Sequence, residues 1–346
     1  MALLTGPAGP TGADLLRDGA VVTTSGSTGD PKRVRLRGAA FRASAAAAAA
    51  ELGEPGRWVL VLPTDYVAGM NVLARAAHWG TEPLVAIGGP TFSAVGFAAV
   101  VGGVAGPLYT SLVPIQLGRL LDSVPGLDAL RRFDRILLGG QAPDPALLQR
   151  ARQEGLRVTV TYGSTETCGG VLWDGLPIGD TEVRIIDERI HLSGSSLADG
   201  YVDEHGTPDQ ERTAAGFIEL DGRRWHRTAD RGELRNGRLV VHGRTDDVIV
   251  SGGVKVSLTA VQSVVRLLPG LADAVVLGVP REGWGMAPAV VTTSASDLET
   301  VRDAVAARLG PAARPVSVTA ISPIPHLRSG KPDLEAIRAV LAATAE

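Results

Sequence analysis

Residues Arg135 to Tyr162 read as a strand, a helix and a second strand, and that order leaves the chain few folds to adopt. Arg135 to Leu138 is a short apolar run that ends in Gly139-Gly140. Asp144 is a natural N-cap, and Pro145 occupies the first helical position. The helix runs to Glu154, where Gly155 stops it. Leu156 to Tyr162 is the second strand, with Val158 and Val160 alternating. Two strands joined by a crossover helix pair in parallel. Ligands of such sheets bind beyond the carboxyl ends of the strands. Gly139-Gly140 and Gly163-Ser164-Thr165 both fall there.

A second stretch, Thr23 to Lys32, reads TTSGSTGDPK. Gly lets backbone approach a ligand closely. Ser and Thr hydroxyls donate to anionic oxygens, and backbone amides in such a turn form a nest for phosphate. Lys32 adds a positive charge at the far end, and Pro31 stiffens the exit. No Walker A string is present. On composition alone the same stretch also reads as a flexible surface linker. Ala20 to Val22 leads into it. Gly38 to Leu52 reads as an Ala-rich helix stopped by Gly53 and Pro55. Trp58 to Leu62 and Leu84 to Ile87 read as strands, with a helix over Tyr66 to Trp79 between them. Leu112 to Leu121 reads as a further helix.

With 346 residues, the chain is long enough for two or more domains. Its formal charge of -3 gives no broad basic surface and argues against nucleic acid as a partner. Cys168 is the only cysteine, so no internal disulfide or cysteine-based zinc site is available, which fits a reducing cytoplasm. The N-terminus lacks the pattern of a signal peptide, and no long apolar run suggests stable membrane insertion.

From Glu182 to Gly243 short strands with Gly turns dominate, which reads as a small β subdomain. The polar run Gly243-Arg244-Thr245-Asp246-Asp247 separates two apolar zones, and the domain boundary is expected there. Beyond it, Val248 to Val250 reads as a strand and Ser251-Gly252-Gly253 as a turn. Leu258, Val261, Val264, Val265 and Leu268 mark one helix face. Ala274 to Val279, Ala289 to Thr293 and Val316 to Ile321 read as strands. Ser296 to Glu299 reads as a capping box opening a helix closed by Gly310-Pro311, and a last helix starts near Asp333. The fold class expected is α/β. A large N-terminal domain (1–245) has parallel-sheet α/β layers and the β subdomain, and a small mobile α+β domain (246–346) follows.

Four motifs stand in a telling order: TSGSTGDPK (Thr24 to Lys32), YGSTET (Tyr162 to Thr167), RTADRGEL (Arg227 to Leu234) followed by GRTDD (Gly243 to Asp247), and SGKPD (Ser329 to Asp333). Together they resemble the adenylate-forming superfamily of acyl-CoA synthetases, luciferases and adenylation domains, from about Val21 onward. Within it the chain is most similar to the o-succinylbenzoate–CoA ligase family of menaquinone synthesis, in its short bacterial form. TSLVPIQL (Thr110 to Leu117) and TYGSTETCGG (Thr161 to Gly170) carry that likeness. Only 22 residues precede Thr23, so wall material that elsewhere shapes the acyl pocket is expected to be absent.

The resemblance implies an enzyme using ATP, Mg²⁺ and CoA on a small carboxylic acid. Thr24, Ser25, Gly26, Ser27, Thr28, Gly29 and Lys32 would grip the β- and γ-phosphates. Thr165 would reach the α-phosphate, and Glu166 would help hold Mg²⁺. Gly140, Gln141, Tyr162 and Gly163 would flank the adenosine, while Asp230 and Arg244 would hold the ribose. Lys331 would bridge the substrate carboxylate and the α-phosphate as charge develops. Asp246 matches the hinge about which the C-terminal domain turns. Gly252, Gly253 and Lys255 would then line the pantetheine tunnel. Tyr66, Asn71, Gln116, Gly139 and Gly169 would border the acyl group. Without the family likeness, Tyr162 reads equally as a core aromatic, Asp230 and Arg244 as surface charges, and Lys331 as a solvated loop lysine.

Arg33 stands where glycine usually follows the loop lysine, and Tyr66 replaces the usual aromatic or His. The acid therefore stays open between o-succinylbenzoate and another aryl or acyl acid, and the acceptor between CoA and a carrier protein. A nucleotide-binding regulator without catalysis is the alternative from another class. A homodimer is common in this family. Cys168 reads as a packed neutral residue.

Overall fold

The computed structural model describes residues 9–24, 32–86, 92–328 and 330–344. The phosphate-loop residues Ser25, Gly26, Ser27, Thr28 and Gly29 lie outside the described residues, as does Ser329. The chain divides into two compact units, Met1–Thr228 with Leu234–Leu239, and Ala229–Glu233 with Val240–Glu346.

The first unit is built on a seven-stranded sheet. Its order is Leu84–Val85, Arg57–Leu60, Leu108–Leu112, Arg135–Leu138, Val158–Ser164, Gly169–Trp173 and Leu176–Pro177. The first five strands are parallel, with Ile136 opposite Val158 as the strand–helix–strand order requires. The last two pair antiparallel. The parallel strands are rich in apolar residues because both sheet faces are buried, with Thr110, Ser111 and Thr159 as buried polar exceptions. Ile136 and Leu138 pack with Phe97, Leu117, Leu120 and Leu130 on one face. Leu137 faces the other way, into a cluster with Trp58, Leu60, Val72, Ala76 and Tyr109. Each fully buried large side chain contributes about 1.5–3 kcal/mol.

A four-stranded antiparallel sheet joins Ala20–Thr24, Lys32–Leu36, Gly200–Val202 and Pro208–Asp209. The β subdomain is a further sheet of Glu182–Ile186, Arg189–Ser193, Arg223–Arg235, Phe217–Leu220 and Arg238–Arg244. The expected helix Gly38–Leu52 has those bounds, and Gly53 closes it.

The expected helix from Leu112 starts later. Leu108–Leu112 is a strand and the helix is Pro114–Leu121. Pro114 explains the boundary: it suits the first turn of a helix and pushes the preceding residue toward extended backbone. Helix Ala94–Val101 is apolar nearly all round, so no periodicity marks it in the sequence.

The second unit holds one sheet of Val254–Ser257, Val248–Ser251, Gly285–Thr292 and Val275–Arg281, with Ser317–Ala320 added in parallel to Gly285–Thr292. Helix Leu258–Val265 buries Val261, Val264 and Val265 against it. The capping box expected at Ser296 is corrected: Asp297 is the N-cap of Leu298–Leu309, and its carboxylate accepts from the Thr300 amide at 2.8 Å. Ser296 lies one residue too early to cap that first turn.

Candidate active site

The site residues of the first unit gather where the parallel strands end. Thr24 closes one strand and Lys32 opens the next, directly opposite it, at the two ends of the expected phosphate-binding stretch. The Thr24 hydroxyl donates to the Lys32 carbonyl at 3.3 Å. Strand Val158–Ser164 passes straight into a tight turn, Thr165–Thr167, that presents Glu166. Gly163 permits that turn, since a Cβ there would lie 2.0 Å from the Gly169 carbonyl oxygen. Thr167 locks the turn: its hydroxyl accepts from the Ser164 amide at 2.9 Å and lies 2.8 Å from the Gly169 carbonyl. Gly139 and Gly140 follow Leu138 at the carboxyl end of the neighbouring strand, with Gln141 beyond them. Tyr162 packs against the cluster of Val171, Leu172, Ile190 and Leu192, in keeping with its reading as a core aromatic.

Glu166 is half-buried, and its Oε1 accepts the Tyr201 hydroxyl at 2.9 Å. Burial raises the pKa of this carboxyl. The charge of His226, a backbone amide and the Tyr201 and Ser164 hydroxyls outweigh that and leave it below the ordinary value. Glu166 is therefore an anion at neutral pH. The backbone is pinned as well, because Ala198 N donates to the Glu166 carbonyl at 2.8 Å.

Two residues expected at the acyl group, Asn71 and Gln116, spend most of their polar atoms on backbone. Buried Asn71 donates to the Cys168 and Val67 carbonyls at 2.9 and 3.0 Å, and its own oxygen accepts from Ser44 at 3.1 Å. Gly169 sits against that amide: a Cβ on it would lie 2.6 Å from Asn71 Nδ2. Gln116 accepts from the Val113 amide at 3.2 Å and donates to the Val61 carbonyl at 3.3 Å, tying two strand ends together. Tyr66 caps helix Val67–His78 and stays half-exposed. Cys168 is fully buried, and burial pushes its thiol up, as its reading as a packed neutral residue expects.

Sequence reasoning missed two residues. One is Tyr201, the partner of Glu166. The other is Arg75, one helical turn beyond Asn71 on the same helix face. Arg75 is 5% exposed, and its guanidinium meets the Ser111 hydroxyl at 3.4 Å and the Trp58 ring at 5.2 Å. Its Nε has no hydrogen-bond partner, and no carboxylate among the described residues pairs with it. Burial lowers its pKa to about 10, which still leaves it charged. The signal in the sequence was an Arg inside an apolar helix, VAGMNVLARAAH.

In the second unit Arg244 has the opposite surroundings. It binds Asp246 through Nε and Nη2 at 2.8 and 2.7 Å and reaches Asp230 at 3.3 Å. Asp246 and then Asp230 raise its pKa. Thus the expected ribose pair and the expected hinge residue form one cluster. Lys331 stands exposed in a loop closed by the His326–Pro332 bridge, and its carbonyl accepts from Leu327 N at 2.8 Å. Gly252 and Gly253 turn the hairpin between Val248–Ser251 and Val254–Ser257, and Lys255 lies exposed opposite Val250. Gly252 has φ +55° and abuts Trp284, whose ring would sit 2.5 Å from a Cβ there.

The first unit thus holds an ionised carboxylate at a strand end, and the second unit has its own cluster of Arg244, Asp246 and Asp230. The AMP-binding enzyme profile matches residues 19–202, and the profile for the AMP-binding enzyme C-terminal domain matches residues 260–331. The chain belongs to the AMP-binding enzyme family. It is 34% identical over 327 residues to a probable 2-succinylbenzoate–CoA ligase of Mycobacterium tuberculosis, covering 92% of this chain and 83% of that one. It resembles a solved Escherichia coli MenE, an arginine-to-lysine variant with OSB-AMS bound, at 27% identity and TM-score 0.75, over 93% of this chain and 68% of that one. The fold also matches o-succinylbenzoate CoA synthetase from Bacillus subtilis, at TM-score 0.76 and 24% identity, over 94% of this chain and 69% of that one.

Proposed function

We propose that this chain is an ATP- and Mg²⁺-dependent ligase that adenylates o-succinylbenzoate and passes the acyl group to CoA. The observation that carries the choice of acid is Arg75. A buried guanidinium without an acid is costly, and a ligand carboxylate offsets that cost. o-Succinylbenzoate has two carboxylates. One is consumed as the adenylate, and the other keeps its charge and needs a cation away from ATP. Arg75 lies on the helix that holds the Cys168 carbonyl, beside Ser111 at the end of a central strand, which suits that second carboxylate.

In the first step the free carboxylate oxygen attacks the α-phosphorus, the bond to the β-phosphate oxygen breaks, and pyrophosphate leaves. Both reactants are anions, so the protein must supply positive charge and in-line placement. Lys32 and the loop before it grip the outer phosphates, and Thr165 reaches the α-phosphate. Lys331 neutralises the carboxylate and the α-phosphate, while Asp230 and Arg244 hold the ribose. Mg²⁺ prefers one or two carboxylates with phosphate oxygens and water, and the ionised Glu166 fits that donor set. The metal would neutralise phosphate charge as pyrophosphate departs. In the second step the CoA thiol attacks the acyl carbon, loses its proton, and AMP leaves. Asp246 is the hinge in this reading, at a boundary of 245/246, and Gly252, Gly253 and Lys255 line the path of the pantetheine arm. The lone buried thiol Cys168 supports a cytoplasmic setting.

The test is pyrophosphate release with ATP, Mg²⁺ and o-succinylbenzoate, with and without CoA, and the thioester read by mass. Release with o-succinylbenzoate and formation of its CoA thioester are expected. Release with aryl monocarboxylates but not with o-succinylbenzoate would remove the role given to Arg75 and move the enzyme to another acid. ATP binding without pyrophosphate release from any acid would leave a nucleotide-binding regulator.

A further inference from the structure

Tyr201 stands between the two charges that ATP and its metal would need. Its strand pairs with Lys32–Leu36, and Tyr201 lies opposite Val34. Lys32 is two residues from Val34, on the same sheet face. Its ammonium accordingly sits 5.8 Å from the centroid of the Tyr201 ring. At the other end of the same side chain, the hydroxyl donates to Glu166 at 2.9 Å. Phe217 fixes the ring from the side, with centroids 5.9 Å apart, and Tyr201 is 4% exposed.

We propose that Tyr201 is a positioning residue that keeps Lys32 and Glu166 apart and aims each at its own part of a metal–nucleotide ligand. A lysine and a glutamate so close to one ring have every electrostatic reason to pair. Among the ion pairs of the described residues none joins them, and each meets Tyr201 instead. Had they paired, the cation would be lost to the phosphates and the anion to the metal. An aromatic face holds an ammonium without neutralising it, so the charge stays available to a stronger anion. The hydroxyl holds Glu166 through one oxygen only, in a charge-assisted bond of fixed direction. This inference rests on the ATP–Mg²⁺ reading above.

The two ends of the side chain can be separated by mutation. Tyr201→Phe keeps the ring under Lys32 and removes the bond to Glu166. Tyr201→Leu removes both. The measurement is equilibrium ATP binding by calorimetry, with Mg²⁺ and with EDTA, alongside thermal melting to confirm folding. For Tyr201→Phe the Kd of ATP with Mg²⁺ is expected to rise about 5- to 10-fold, with the metal-free Kd unchanged. For Tyr201→Leu both values are expected to rise, because Lys32 is freed to pair with Glu166. The concentration of Mg²⁺ giving half-maximal pyrophosphate release should rise in Tyr201→Phe more than kcat falls. In Tyr201→Phe a merely structural role would move the melting temperature and both Kd values together, and that result overturns the proposal. So does a Tyr201→Phe protein whose Mg²⁺ dependence matches the parent. If the parent itself binds no ATP, the function reading fails first, and the inference with it.

Discussion

Arg75 and Arg244 carry the same guanidinium into opposite surroundings. Arg75 is buried in the first unit with a hydroxyl and an indole but no acid. Arg244 is half-exposed in the second unit and already holds Asp246 and Asp230. The first has its pKa lowered by burial, and the second has it raised by its carboxylates. The contrast separates a buried charge with no acid beside it from a charge already held by carboxylates of its own unit. A cation whose partners are all in the chain is structurally complete, and ligand groups must compete for it. A buried cation without a partner lowers stability, and only a ligand anion offsets that.

The largest expected effect lies at a residue that is neither buried nor tied into a core. Lys331 is exposed in its loop, so Lys331→Ala should leave the melting temperature unchanged. Acyl-AMP formation should fall about 100- to 1,000-fold, the range for removing one group that stabilises developing charge. Thioester formation from supplied acyl-AMP should survive. Equal loss in both half-reactions would sink the role assigned to Lys331.

Arg75 should show the reverse pattern. Arg75→Met fills the same volume without the charge. It is expected to raise stability by about 1 to 4 kcal/mol, as replacement of a buried charge by a packed apolar side chain often does. The KM for o-succinylbenzoate should rise, at a cost of about 2 to 5 kcal/mol in kcat/KM. Aryl monocarboxylates should be affected far less. A destabilised Arg75→Met protein with an unchanged preference among acids would erase the distinction between the two arginines.

Most of the fold is legible in the sequence because its elements are bounded by residues with one use. Asp144, Pro145 and Gly155 delimit helix Pro145–Gln153, and the parallel strands beside it follow from that order. The site is legible where consecutive residues make the contacts, as at Tyr162 to Thr167 or Gly243 to Asp247. It is not legible where a contact joins distant segments. Tyr201 meets Glu166 across 35 positions, and Ser111 meets Arg75 across 36. Nothing local distinguishes Tyr201 from a core aromatic. Asn71 and Gln116 illustrate the converse: polar residues in apolar helices suggest a pocket, yet Gln116 is satisfied by backbone and Asn71 by backbone and Ser44.

Asp246→Ala probes the complete side of the contrast. The Arg244–Asp246 pair is partly solvated, with side chains 42% and 31% exposed, so its loss should cost below about 1 kcal/mol of stability. Freed from Asp246, Arg244 should bind nucleotide at least as well. If Asp246 is the hinge, CoA thioester formation should slow more than pyrophosphate release. Rapid-quench measurement of both half-reactions reads this directly. Equal slowing would place the hinge elsewhere.

The smallest effect concerns Cys168, which shares a burial with Arg75 but carries no charge. Its amide closes the Thr165–Thr167 turn, and its carbonyl takes the Asn71 amide. The thiol itself is fully buried, and burial holds its pKa above the ordinary value of 9.0. The reactive species is the thiolate, so N-ethylmaleimide at pH 8 should leave the native protein unmodified and label it once in denaturant. The linkage has a definite sign. Above pH 9.0 the unfolded thiol ionises while the folded one does not, so unfolding binds fewer protons and stability falls as pH rises. Cys168→Ala removes that contribution, and its stability should fall less steeply than that of the parent above pH 9. Rapid labelling of the native protein, or identical slopes for the two, would show the thiol to be open to solvent. The turn that presents Glu166 would then be looser than its hydrogen bonds indicate.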